Sequence, residues 1–146
     1  MTHDVFNQPE PLTDYDAFAG NRPLRDALQF HAPALDLGPL QELGRAVGDP
    51  GMQLHARLAN VNPPTLHTHD RFGRRIDRVE FHPSYHALMS LAVANGLHGA
   101  PWQGGPHAHL LRAAGFMLFT ELEPSVLCPV SMSYAVDPAL RGNAAV

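Results

Sequence analysis

The ten histidines are the first residues in this chain that invite a chemical reading. His82 and His86 stand four apart, a spacing that sets two imidazoles on one helix face, as in many zinc sites. A zinc hydrolase of that kind also needs a Glu directly after the first His, as general base, and a distant third ligand. Pro83 occupies the Glu position, so the motif fails. His67 and His69 fall on one side of a strand, and His107 and His109 at a helix start. Neither pair has the Cys or carboxylate company a metal site carries. Capping and packing account for these rings, and no metal ligand is assigned.

Nucleophiles fare no better. Cys128 precedes Pro129, with Ser125, Ser131 and Ser133 nearby, but no G-x-S-x-G elbow surrounds them. A lone cysteine so placed reads as a small buried residue. Gly99 to Gly105 lacks both the G-x-G-x-x-G spacing and a preceding strand, so no dinucleotide is held by the Rossmann mechanism. Glu121 and Glu123 flank Leu122 and are expected to point apart into solvent, while Asp14 and Asp16 belong to an N-terminal arm. No carboxylate pair has environments that would drive two pKa values apart. The chain is assigned no catalytic, cofactor-binding or metal residue.

Length leaves room for one domain, 1–146, with a sizeable core. A composition 45% hydrophobic and 16% charged is that of a globular protein. The apolar runs are short, so no membrane span is expected, and the N-terminus has no secretory pattern. The single Cys128 excludes an internal disulfide and fits a reducing cytoplasm. All ten positive side chains are Arg, which with abundant Ala, Gly and Pro fits a GC-rich bacterial coding sequence. Net charge is −4, against general phosphate-backbone binding. Arg71, Arg74, Arg75 and Arg78 cluster, but Asp70, Asp77 and Glu80 interleave with them.

The elements that would position these groups are mostly helical. Residues 1–20 read as an extended arm with Val5 and Phe6 as apolar anchors. A helix starting near Pro23 sets Leu24, Ala27, Leu28 and His31 on one buried face. Asp36 is the expected cap of the next, whose stripe is Leu40, Leu43, Gly44 and Val47 and whose stop is Gly48. Asp49-Pro50 opens another, with Leu54, Leu58 and Ala59 inward, ended by Asn62-Pro63-Pro64. Residues 66–79 form a hairpin turning at Gly73, expected to lie across the helices because a lone hairpin is marginal. Helices follow over about 83–95, 106–122 and 129–139, the second apolar nearly all round, and 141–146 read as a disordered tail. Bulky apolar residues on several faces of helix 106–122, with Val5 and Phe6 in the arm, predict an exposed patch and self-association.

Several segments in combination resemble one family. They are Phe6-Asn7-Gln8-Pro9, Leu58-Ala59-Asn60-Val61-Asn62-Pro63-Pro64, Asp70 with Gly73-Arg74-Arg75, Phe81-His82-Pro83 and Leu127-Cys128-Pro129. The chain resembles, from about Asp4 to Leu140, the N-terminal helical domain of the AidB-like (adaptive-response) branch of the flavin-dependent acyl-CoA dehydrogenases. The resemblance implies an all-α bundle with a small hairpin and an extended arm. It also implies a full-length enzyme in which FAD accepts a hydride from the β-carbon of an acyl thioester after a carboxylate takes the α-proton. In the family the flavin segments and that carboxylate lie in a β-domain and a C-terminal helical domain, neither of which is expected here. A domain of this type walls the acyl pocket and builds oligomer contacts. Its partners are then the remaining domains or further copies, and it is inactive alone. Family DNA binding is placed in the C-terminal part, so no direct nucleic-acid contact is expected. The alternative is a stand-alone helical interaction module without flavin.

Overall fold

The computed structural model describes Thr2 and residues 4–143. Seven helices and one hairpin follow each other as α1 (Ala17–Gly20), α2 (Arg22–His31), α3 (Gly38–Gly48), α4 (Pro50–Val61), β1 (Thr65–His69), β2 (Arg75–Glu80), α5 (Pro83–Ala94), α6 (Ala108–Leu122) and α7 (Leu127–Leu140). The tail's last three residues, 144–146, lie outside the described residues.

Polar side chains set most of the helix starts. Asp16, Asn21, Asp49 and His82 each accept a backbone N–H from the first turn of α1, α2, α4 and α5 respectively. Asp36 accepts the N–H of Gly38 at 2.9 Å, although the residue at the cap itself is Leu37. The expected arm therefore ends at Asp16, because a cap at that residue turns its last four positions into α1.

α6 is the axis of the bundle. It packs along α3 and touches α1 and α4, while α4 lies along α5 and α5 meets α7. Leu118 and Phe119 of α6 are fully buried together with Leu28, Leu43, Val47 and Leu88. Three glycines permit this closeness. A Cβ on Gly48 would sit 1.7 Å from the carbonyl oxygen of Tyr15, and one on Gly44 2.6 Å from the backbone nitrogen of Phe18. One on Gly115 would meet Leu97 at 2.9 Å. Gly48 is therefore needed where the arm crosses α3, and the Asp14 N–H bonds its carbonyl there at 2.7 Å.

Other expectations about these elements are also corrected. Leu54 is exposed (46%), and the inward stripe of α4 is Met52, His55, Ala56 and Ala59. On α2 only Leu24 and Leu28 are buried; Ala27 and His31 on the same face remain open. The hairpin does not lie across the helices: all of β2 is exposed, and in β1 only His67 is half-buried. Its strands pair Leu66 with Val79 and His67 with Arg78, then slip at a bulge before His69 meets Arg75. Gly73 takes φ +80 in the turn, the left-handed geometry such a turn requires.

α7 is longer than the 129–139 segment and runs through Pro138. Proline has no N–H for the carbonyl four residues back, that of Tyr134. The indole N–H of Trp102 donates to that oxygen at 2.8 Å, so the helix continues without an orphaned acceptor.

Candidate functional site

The histidines singled out by sequence do not converge. The imidazole of His82 is spent accepting the Ser84 N–H at 3.1 Å, whereas His86 is exposed with its ring near Phe81 and Tyr85. His67 Nε2 lies 2.9 Å from a Glu80 carboxylate oxygen, and His69 Nδ1 lies 3.1 Å from Thr68 Oγ1. His109 meets the Tyr134 hydroxyl at 2.8 Å, and His107 takes φ +59 at the start of α6. Among the described residues no group of three or more His, Cys, Asp or Glu could hold a metal ion. Cys128 is exposed rather than buried, because it falls on the outer side of the first turn of α7.

Glu123 departs most from expectation. Its side chain turns inward and is 3% exposed. One oxygen accepts from Ser125 Oγ at 2.7 Å and from Asn60 Nδ2 at 3.2 Å; the other accepts from the Val126 N–H at 2.8 Å. Burial alone would raise its pKa. The hydrogen bonds from Ser125, Val126 and Asn60 outweigh that and hold it below the usual carboxylate value. The carboxylate thus caps the start of α7 and ties it to the end of α4. Glu-Pro-Ser just ahead of a helix was the available sequence signal.

Two further polar groupings escaped the sequence. His55 Nδ1 lies 3.0 Å from Ser84 Oγ across α4 and α5. Ser84 is only 2% exposed, so this pairing of base and hydroxyl is an interhelical tie without access for a substrate. At the other end, Trp102 stacks on Tyr134 with centroids 4.9 Å apart, and the Arg112 guanidinium sits 3.8 Å from the Tyr134 ring centroid. Burial lowers the pKa of Arg112, with Tyr134 opposing the shift. Aromatic spacing across a loop and a helix carries no periodic signal, so only the fold reveals it.

The glycine-rich segment and the sheet can be placed among the described residues. The one sheet has two strands, and Gly99 to Gly105 follows a helix and encloses a short 3-10 turn, Ala100–Gln103. The surface is more informative. Between α2 and α6 runs a groove of about 240 Å3 lined by Leu24, Ala27, Leu28, Leu110, Ala113 and Met117. Phe72 and Leu66 on the hairpin and Met132 on α7 are exposed at 68%, 59% and 67%. No helix among the described residues is long and apolar enough to cross a membrane.

The fold of this helical bundle is that of the acyl-CoA dehydrogenases. An 11-carbon acyl-CoA complex of Caenorhabditis elegans ACDH-11 superposes over 88% of this chain with a TM-score of 0.70 at 17% identity, using 23% of that protein. The apo form of Bd2924 superposes over 79% of the chain, and 24% of its own, with a TM-score of 0.69 at 25% identity. Within that class, residues 7–146 match the adaptive response protein AidB N-terminal domain, and the chain belongs to that family. It is 38% identical over 142 residues to the putative acyl-CoA dehydrogenase AidB of Escherichia coli (strain K12), covering 96% of this chain. It spans only 26% of that relative's length.

Proposed function

We propose that the chain is the N-terminal helical domain of an FAD-dependent dehydrogenase that oxidises the CH–CH bond of an acyl-CoA, of the AidB-like, alkylation-response type. Its part is architectural: it walls the acyl pocket and supplies contacts to the remaining domains and to other subunits, with FAD and the catalytic carboxylate supplied outside these residues. One observation carries the reading. Similarity runs through 96% of this chain but reaches only 26% of the relative, so what matches is one domain of a larger enzyme. The exposed apolar residues of the hairpin and α7 support it as docking faces. The free, exposed Cys128 suits a reducing cytoplasm, and the net charge of −4 argues against direct nucleic-acid contact by this domain.

The test is a chimaera in which this chain replaces the first quarter of the Escherichia coli relative. Retained flavin that bleaches with a saturated acyl-CoA supports the proposal. A soluble, folded chimaera that holds flavin yet is not bleached by any chain length overturns it.

A further inference from the structure

We propose that the N-terminal arm is an intramolecular strap whose Val5 and Phe6 seat in the apolar groove between α2 and α6. The arm carries three large apolar side chains exposed at 74% (Val5), 85% (Phe6) and 72% (Leu12). The groove is apolar along its length, with Asn21 and His31 at its two ends. Asn21 is already committed, its oxygen to the Leu24 N–H and its amide to Glu121. Each surface therefore lacks what the other offers.

Position makes the arm the occupant. The Asp14 N–H bond to Gly48 pins its base against the bundle. Leu12 lines a hollow of about 480 Å3 that shares Asn21 and Pro23 with the groove, so the arm leaves the fold at the groove's mouth. From Leu12 to Phe6 an extended chain reaches roughly 19 Å at polyproline spacing. The α2 side of the groove, Pro23 to His31, is about 12 Å long at helical rise. Asn7, at φ +62, shortens that reach by a local reversal and still leaves enough. Pro9 and Pro11 restrict the free arm, which lowers the entropy lost on docking. A second copy would have to bring its arm from solution, whereas this arm is tethered beside the site at high effective concentration.

Cysteine trapping tests the strap in the full chain, with Cys128→Ser as background. Phe6→Cys is combined with Ala113→Cys, an exposed position in the groove, or with Ser90→Cys on the outer side of α5. Circular dichroism confirms that each variant folds. The strap predicts a disulfide within one chain for the Phe6/Ala113 pair, formed faster than the Phe6/Ser90 pair by on the order of tenfold or more. Equal rates for the two pairs, no trapping at Ala113, or crosslinks only between chains would each overturn it.

Discussion

Asn60, in the last turn of α4, donates its side-chain amide to the buried carboxylate of Glu123, which caps the start of α7. Residues 63 apart in sequence are thus joined at one buried charge. Because its folded pKa is depressed, Glu123 binds its proton more readily when the chain unfolds. Its contribution is complete above the unfolded value near 4.5 and disappears as pH falls through the lower folded value. Glu123→Gln should destabilise the fold by about 1–3 kcal/mol at neutral pH, and the variant's acid sensitivity should be shallower. Urea unfolding at neutral pH and through the acid range checks both; parallel curves for parent and variant would contradict the assignment.

Trp102 performs a comparable task for the backbone. Replacing it with Phe keeps an aromatic ring against Tyr134 but removes the indole donor that serves the carbonyl freed by Pro138. The expected cost is about 1–3 kcal/mol, that of an acceptor left without its partner. An unchanged unfolding midpoint would show that water replaces the indole without penalty.

The glycines offer a contrast within one fold. Gly48→Ala forces a methyl onto the Tyr15 carbonyl and should cost about 3 kcal/mol or prevent folding, since backbone must move. Gly20→Ala meets nothing within 4 Å and should be neutral or stabilising by up to about 1 kcal/mol. Thermal melts of the pair measure the difference directly.

The hairpin and α7 leave Leu66, Phe72, Val79, Met132 and Val136 open to solvent. The isolated chain should therefore self-associate and bind a hydrophobic dye while still unfolding cooperatively. Leu66→Thr with Met132→Gln should reduce both. Light scattering showing a clean monomer at high concentration, without dye binding, would instead favour a self-sufficient interaction module.

Much of this architecture is written in local signals. Asp49-Pro50 and His82-Pro83 open helices, the Pro63-Pro64 pair follows the end of one, and Gly73 takes the left-handed turn, because cap and proline chemistry act within a few residues. The stripe of Leu40, Leu43, Gly44 and Val47 was equally plain. Structure and local signal differ where tertiary placement decides. Leu54 looks inward by type, yet the bundle meets the Met52–Ala56 side of α4 instead. Glu123 looks solvated by type, and only the approach of Asn60 and the start of α7 makes burial tolerable. Pro129 looked like the start of a helix that begins at Leu127, and Pro138 lies inside it because Trp102 arrives from another element. The candidate site itself is poorly legible in the sequence. The positive features, a groove and outward apolar faces, depend on which helices become neighbours.

These residues are proposed to form a wall and contact domain that works with a flavin centre supplied from elsewhere. The most direct measurement is to mix the purified chain with FAD, pass it through gel filtration and record the visible spectrum of the protein peak. The peak should carry no stoichiometric flavin and show no bleaching on addition of acyl-CoA. A yellow one-to-one complex that survives the column would contradict it.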